Sequence, residues 1–261
     1  MHVKSMVQSR YAGSGRWGLW VCLALPACGG FGDSDSEAGP ALDPVCEEGT
    51  TIACEDAIIL DLALQDDKVS AGEVATSRDG ADWLTTVDAT AGGYGNDSSN
   101  PWVYVKFTDT GAEPVEMNDE DALDSMEWDI AARRFILRLN GGSSGPSCVG
   151  ATPFFQKSYA DLTAIPDGTV YFEDDFYTDD CTIINDSSGL PGSPQVAMAS
   201  WWSYAGCLQT TGHPFLIQRA DGRIVKLLVE QYYAEGQEEC NESGTPGQDG
   251  AKFQWRWTFM N

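Results

Sequence analysis

Histidine and basic side chains are scarce in this sequence. The chain has two histidines, and only His213 lies beyond the first 30 residues. No two cysteines are spaced as Cys-x-x-Cys, so with one histidine left a zinc site is disfavoured. The apolar stretch at residues 17–27 is shorter than the roughly 20 residues that a membrane-spanning helix needs.

The shortage of positive charge limits the classes of partner. The 261 residues include 15 Lys and Arg against 40 Asp and Glu. Residues 1–27 hold three of the basic residues and no acidic one, so the rest carries 12 basic against 40 acidic residues, a net charge of −28. Such a charge repels nucleic acid and anionic lipid headgroups. It is typical of a solvated acidic surface, and it would also suit a cationic partner.

The first 27 residues have the pattern of a signal peptide. A short apolar segment, residues 17–27, follows three basic residues: Lys4, Arg10 and Arg16. It ends in Leu25–Cys28, which resembles a lipobox and predicts lipid attachment at Cys28. The alternative is plain secretion with cleavage near Ala27. Either reading predicts export.

The remainder divides into a tether and one domain. Residues 28–45 are small and acidic, which predicts a flexible tether because such a segment buries little apolar surface. Gly29 stands where some bacteria place an Asp for inner-membrane retention, which favours the outer membrane of the cell envelope. Residues 46–261 are long enough for a single core and show no second linker.

Six cysteines remain after the signal and Cys28. An even number in an exported chain predicts three disulfides. The short acidic loop between Cys46 and Cys54 favours pairing those two, and the partners of the other four stay open. The predicted disulfide-forming residues are Cys46, Cys54, Cys148, Cys181, Cys207 and Cys240.

Alternating aromatic residues give the clearest structural signal. In Lys252–Met260 every second residue is Phe or Trp, which predicts a half-buried strand. Asp221-Gly222 lies between the apolar runs Pro214–Arg219 and Arg223–Tyr233, which predicts a β-hairpin.

Further segments predict strands or turns. Three more runs are typical of strands: Trp102–Thr108, Arg134–Leu139 and Thr169–Tyr177. Ile58–Leu64 and Ala199–Tyr204 are weaker strand predictions, and Asp119–Glu127 predicts a helical turn. Many short strands separated by turn residues indicate an all-β, mainly antiparallel domain with few short helices.

Two of these stretches together carry a family resemblance. They are Trp128–Gly150 (WDIAARRFILRLNGGSSGPSCVG) and the hairpin Phe215–Tyr233 with the closing aromatic strand. Their order is similar to that in HmuY-like surface lipoproteins, over roughly Thr85 to Phe259. The resemblance implies an all-β binding protein without enzymatic activity, and it implies haem as a ligand.

The resemblance does not supply axial ligands. The haem-capturing member of the family uses two His, but the corresponding residues 174–180 and 203–207 here contain none. One mature histidine excludes bis-His ligation within a single chain. Some relatives are thought to use two Met; the methionines of this domain are Met117, Met126, Met198 and Met260.

Four residues are candidate ligand contacts. His213 is a candidate axial or metal ligand, or a hydrogen-bonding loop residue. Met198 and Tyr204 lie in an aromatic run (MASWWSY) that would wall a pocket for a flat ligand or simply pack in the core. Tyr177 is a candidate phenolate ligand for iron, or a tyrosine at a strand edge.

Two motifs suggest other chemistry. The acidic residues of segment 173–180 suggest calcium, but they lack EF-hand spacing, which favours a solvated loop. Gly141–Gly145 matches the Gly-x-Ser-x-Gly pattern around Ser143, but Pro146 follows where a hydrolase needs a helix. We therefore expect no catalytic residues and no resident metal.

Together these features predict a lipid-anchored binding protein whose ligand is haem or another small apolar molecule, held without a bis-His pair. A cell-surface module that binds a protein or glycan and has lost haem binding is the alternative. A serine hydrolase at Ser143 is a third hypothesis.

Overall fold

The structure, a computed structural model, describes residues 45–90, 99–188, 190 and 193–260. The predicted signal peptide, Cys28 and most of the tether therefore lie outside the described residues. The described residues form one compact unit. In the described part, no helix is long and apolar enough to cross a membrane.

In the described residues, twelve strands and two short α-helices, with 3₁₀ turns between some of them, make up the regular structure. The helices are α1 (Glu55–Asp61) and α2 (Gln237–Ser243). In chain order the strands are β1 (Val74–Asp79), β2 (Asp82–Asp88), β3 (Val103–Thr108), β4 (Gly111–Val115), β5 (Ile130–Arg133), β6 (Ile136–Leu139), β7 (Gly150–Pro153), β8 (Trp202–Tyr204), β9 (Leu208–Thr210), β10 (Phe215–Gln218), β11 (Ile224–Glu235) and β12 (Gln248–Met260).

The strands form three antiparallel sheets. The largest has the order β1-β2-β12-β11-β10-β7, the second β4-β3-β5-β6, and the smallest pairs β8 with β9. Side chains from the two larger sheets share one core cluster. For example, the ring of Phe107 on β3 meets Trp257 on β12 edge to face at 4.8 Å between centroids. This all-β, mainly antiparallel fold confirms the predicted fold class.

The alternating pattern of β12 decides which face of that strand is buried. Phe253, Trp255 and Trp257 are buried in the main core, while the polar residues between them are only partly covered. The strand lies between β2 and β11 in the sheet. The side chains on its polar face therefore lie beside side chains of those two strands. The predicted hairpin is present as well: Gly222 has φ +80° in the turn between β10 and β11.

The second sheet is covered on both faces. Val103 and Val105 of β3 point into the main core, whereas Tyr104 belongs to a second cluster with Trp102 and Trp128. Residues of α1 and of the later loops complete that cluster. Helix α1 therefore covers the face of this sheet that points away from the main core.

The strand prediction for Ile58–Leu64 is wrong, because this segment carries the end of α1. Ile58 and Leu62, four residues apart, are buried in the second cluster, and Leu60 is 79% exposed. A spacing of four residues puts two side chains on one helical face. Contact with the second sheet therefore selects a helix where the sequence alone looked strand-like.

Other predicted segments are confirmed in part. Arg134 adopts φ +53° in a two-residue turn, so β6 begins only at Ile136. Segment 169–177 forms isolated bridges instead of a strand. Ala199–Trp201 is a 3₁₀ turn that leads into β8, and the predicted helical turn is present as a 3₁₀ turn at Asp121–Leu123.

Three disulfides involve all six predicted cysteines, but the pairing of Cys46 with Cys54 is wrong. The bonds are Cys46–Cys148, Cys54–Cys181 and Cys207–Cys240. Cys54 is the residue before α1, and the packing of α1 on the second cluster brings it to Cys181. Tertiary packing, not loop length, decided this connectivity.

Candidate functional site

A cleft of about 770 Å³ opens among the loops next to α1. We call it the loop cleft. It is lined by residues from segments 50–54, 142–143 and 171–179 and by Cys181. Its volume lies within the range of roughly 300–1,000 Å³ that is usual for small-molecule sites.

Asp174 organises the floor of the loop cleft. Its buried carboxylate accepts hydrogen bonds from the backbone N–H groups of Leu139 at 3.0 Å and Ala197 at 2.8 Å and from the hydroxyl of Ser144 at 2.5 Å. Burial raises the pKa of Asp174 to about 6. One side chain thus joins β6, the Gly-rich loop and the segment before the 3₁₀ turn at 199–201.

The walls of the loop cleft are aromatic and acidic. Tyr171, Phe172 and Tyr177 supply aromatic faces, and Phe172 is 58% exposed. Acidic side chains stand between them, and burial raises the pKa of Glu173. Aromatic faces suit a flat apolar ligand, while the carboxylates around them suit polar or cationic edges.

Tyr177 is the candidate ligand that lies in the loop cleft. Its hydroxyl donates a hydrogen bond to the carboxylate of Asp61, the last residue of α1, at 3.1 Å. Burial, with the hydrogen bond and the negative charge of Asp61, raises the pKa of Tyr177, and the positive charge of Arg138 opposes the rise. No sequence signal pointed to Asp61, because it is 116 residues away along the chain.

Tyr204 lies in a different place. It is exposed at the end of β8 and lines a second cleft of about 600 Å³ with Trp202 and residues from segment 185–188. Most of the residues that line this second cleft are polar, with Trp202 and Tyr204 as its aromatic members. Tyr204 and Tyr177 are both candidate ligand contacts, and they line different clefts.

Met198 is a core residue. Its side chain is completely buried in the main cluster, where Trp201 packs on Phe253 at 5.2 Å between ring centroids. The indole N–H of Trp201 donates a hydrogen bond to the carbonyl of Phe135 at 3.1 Å. Met198 and Trp201 therefore pack in the core, whereas Trp202 and Tyr204 of the same run line the second cleft.

His213 is half-buried near the edge of the large sheet. Its imidazole meets the ring of Phe155 edge to face at 5.0 Å between centroids. The four candidate residues therefore occupy four separate surroundings: the loop cleft, the second cleft, the core and this edge.

The Ser143 motif forms part of the loop cleft without a hydrolase geometry. The Ser143 hydroxyl accepts a hydrogen bond from the N–H of Phe176 at 3.3 Å, and the carboxylate of Asp174 bonds Ser144 instead. Gly142 has φ +62° and its backbone bridges Asp174, so the loop continues as bridged backbone where a nucleophile elbow enters a helix.

The acidic segment 173–180 does not assemble a metal site in the described part of the chain, where no group of three or more His, Cys, Asp or Glu side chains is placed to hold an ion. Asp174 points inward to backbone donors, and Asp180 bonds the hydroxyl of Thr178. These local bonds are typical of a folded surface loop.

Comparison with known proteins identifies a family for this chain. The family model described as HmuY protein matches residues 98–243, more than half of the chain. None of the curated proteins matches significantly. Three solved structures match this chain over nearly their whole length, at low sequence identity.

The first, described as an HmuY-like haem-binding protein of Bacteroides vulgatus, is 17% identical, with 71% of this chain and 97% of that chain covered and a TM-score of 0.44. The apo HmuY analogue of Tannerella forsythia is 17% identical over 75% and 100%, with a TM-score of 0.43. A lipoprotein of Bacteroides fragilis is 15% identical over 74% and 95%, with a TM-score of 0.40. On the family match, this chain belongs to the HmuY protein family.

Proposed function

We propose that this protein is an exported, lipid-anchored binding protein that takes haem or a similar flat apolar molecule into the loop cleft. In this proposal residues 1–27 are a signal peptide, Cys28 carries lipid, residues 28–45 are a tether and residues 46–261 are the binding domain. The observation that carries it is the loop cleft itself, which combines a suitable volume with three aromatic side chains.

A bis-His arrangement does not fit the residues present. His213 packs on Phe155, and the haem ligand set must therefore come from other donors. Met198 is held inside the core, and Met117 and Met260 pack against two other clusters. The donors that line the loop cleft are tyrosine and carboxylate oxygens. Tyrosine is an established axial ligand of haem iron, so in this proposal Tyr171 or Tyr177 would supply the ligand.

Titration of the exported protein with ferric haem, followed by visible absorbance, tests the ligand. We expect a saturable one-to-one change in the Soret band. Phe172→Ala should weaken binding about fivefold, because it removes an aromatic face that is worth on the order of 1 kcal/mol. Phe155→Ala is the matched control, since Phe155 is equally exposed but lies beside His213. Equal effects of the two substitutions, or a spectrum of free haem only, would overturn the proposed site.

The anchor has its own test. Cys28→Ser should release the protein from the membrane fraction, whereas Cys22→Ser, within the predicted signal, should leave it bound. Unchanged retention of the Cys28 variant would contradict lipid attachment at that residue.

A further inference from the structure

The second cleft, beside strand β8, combines an exposed aromatic ring with neutral polar side chains. Tyr204 is 55% exposed and lines the cleft. Trp202, two residues earlier on β8, is held in the main core, where its ring meets Phe135 edge to face at 5.2 Å between centroids. Side chains two residues apart on a strand point to the same side. The packing of Trp202 therefore fixes the strand that presents the Tyr204 ring to the cleft.

Several polar groups of the second cleft have hydrogen-bonding capacity that the described part of the chain leaves unused. The amides of Asn185 and Gln195 and the phenol of Tyr204 line the cleft and form no side-chain hydrogen bond among the described residues. The hydroxyl oxygen of Ser200, another lining residue, is buried and has no partner there either. An amide can donate and accept at once, and a buried hydroxyl without a partner is destabilising. These groups would gain partners from a ligand that is rich in hydroxyls.

Both walls of the second cleft are fixed by contacts that do not involve a ligand. The β8–β9 hairpin is joined to α2 by the disulfide between Cys207 and Cys240. On the other wall, the carboxylate of Asp186 accepts hydrogen bonds from the backbone N–H of Ser188 at 3.0 Å and from the hydroxyl of Ser193 at 2.5 Å. A site that is ordered in advance loses less entropy when its ligand binds.

The charge of the second cleft selects an uncharged ligand. Among the described residues that line it there is no Lys, Arg or His, so it offers no cation to a phosphate, sulfate or carboxylate group. Asp186 is the one acidic residue of that lining, and its carboxylate already bonds Ser188 and Ser193. A sugar ring is uncharged, carries many hydroxyl groups and has a face of C–H groups that packs on an aromatic ring. A neutral carbohydrate therefore matches both the ring and the free amides.

The second cleft is remote from the place where the chain enters the domain. The N–H of Val45, where the described part begins, donates to the carbonyl of Ala220 in the β10–β11 turn at 2.8 Å. The N–H of Leu208, which lies opposite β8 in the hairpin, donates to the hydroxyl of Tyr233 at 3.1 Å. From Ile224 to Tyr233, β11 spans about 30 Å. The cleft thus lies towards the end of β11 that is far from the predicted tether.

We infer that the second cleft binds a neutral carbohydrate, with the Tyr204 ring stacked on the face of one sugar and the amides of Asn185 and Gln195 bonded to its hydroxyl groups. The site is separate from the loop cleft, and the inference does not rest on the proposed function. Its volume of about 600 Å³ lies within the usual range for small-molecule sites. The cleft holds the sugar without cleaving it, because glycoside hydrolysis uses a pair of carboxyl groups and the described lining has one.

A glycan array that displays neutral, sialylated and sulfated oligosaccharides, probed with the exported protein, tests the inference. We expect binding to neutral glycans only. Isothermal titration with a soluble neutral oligosaccharide from the array then ranks the variants. Tyr204→Ala should weaken binding about fivefold through loss of the aromatic face, and Asn185→Ala about fivefold through loss of a hydrogen bond. Tyr204→Phe keeps the ring and should bind more tightly than Tyr204→Ala.

Phe172→Ala is the matched control, since Phe172 is exposed to a similar degree but lines the loop cleft. It should leave carbohydrate binding unchanged, and Tyr204→Ala should leave the haem titration unchanged. Thermal unfolding of each variant checks its folding, and both Tyr204 and Asn185 are exposed, so we expect wild-type midpoints.

Three outcomes would overturn the inference: no binding to any neutral glycan, binding to sialylated or sulfated glycans only, or equal losses in Tyr204→Ala and Phe172→Ala. Binding of neutral glycans by a protein that does not bind haem would support the inference and overturn only the proposed function.

Discussion

The two large sheets and the loop region, residues 154–198, are held together by different means. In the sheets, backbone pairing runs along each strand, and buried aromatic rings are concentrated on β11 and β12. In the described residues of the loop region, isolated bridges replace strands. A few long-range contacts hold it: the Cys54–Cys181 bond, the buried carboxylate of Asp174, and Lys226, which donates hydrogen bonds to two loop carbonyls.

The difference has a functional meaning. Residues in a regular sheet are fixed by many weak contacts, so few side chains are free to vary in orientation. The loop region depends on single contacts, and it supplies most of the wall of the loop cleft. Binding residues on loops that are positioned by a rigid scaffold are the usual arrangement in proteins.

Removal of the Cys54–Cys181 bond should give the largest effect and would sharpen the comparison most. Because Cys46–Cys148 stays closed, the loop that this bond closes runs from Cys54 back to Cys46 and from Cys148 on to Cys181, about 41 residues, and loop-closure entropy predicts a loss of about 4 kcal/mol for the double variant Cys54→Ser/Cys181→Ser. Cys207→Ser/Cys240→Ser is the control: its 33-residue separation also predicts about 4 kcal/mol from entropy alone, so a larger loss in the first variant measures the contacts that the Cys54–Cys181 bond holds in the loop region. Urea unfolding of both variants measures the difference. A larger loss in the control would mean that the loop region does not depend on its own disulfide.

Trp257→Ala tests the sheet side of the comparison. Trp257 is completely buried, meets Phe107 across the two sheets and donates an indole hydrogen bond to Thr85 at 2.8 Å. Truncation should cost about 4 kcal/mol because it leaves a large cavity. Trp83→Ala is the control: Trp83 stacks on Trp257 but is only half-buried, so its loss should be clearly smaller. Thermal unfolding that ranks the two equally would contradict an aromatic core centred on β12.

The contribution of Asp174 to the free energy of unfolding should be the smallest of the three effects, and it should depend on pH. Its pKa of about 6 in the folded protein is above the usual 3.8, so between these values the folded state binds the proton more tightly than the unfolded chain. The free energy of unfolding should therefore rise by about 3 kcal/mol as the pH falls from 7 towards 4, and this gain is lost as the pH rises through 6.

Comparison of the wild type with Asp174→Asn isolates that contribution, and Asp175→Asn, at the exposed neighbour, is the control. Chemical denaturation at several pH values measures it, together with an NMR titration of the Asp174 carboxyl group. A titration midpoint below 3.8 would show that the three hydrogen-bond donors outweigh burial, and the contribution of Asp174 to the free energy of unfolding would then be lost, not gained, as the pH falls.

Sequence patterns were sufficient wherever neighbours along the chain decide the structure. The alternation in Lys252–Met260 and the Asp-Gly turn gave β12 and the β10–β11 hairpin, because burial of one strand face and the conformation of glycine are local matters. The same cue, Asp79-Gly80, would have found the β1–β2 hairpin, with φ +63° at Gly80. The family resemblance came from these local patterns and was confirmed.

The site was decided by tertiary structure. Composition and cysteine number were enough to predict three disulfides and to exclude a bis-His pair. The pairing of Cys54 with Cys181, the helical form of residues 55–61 and the contact of Tyr177 with Asp61 all depend on α1 packing against the second sheet. A one-dimensional pattern records which side chains recur, but it does not record which segments 116 residues apart will meet. Which distant segments come into contact is decided only when the core packs.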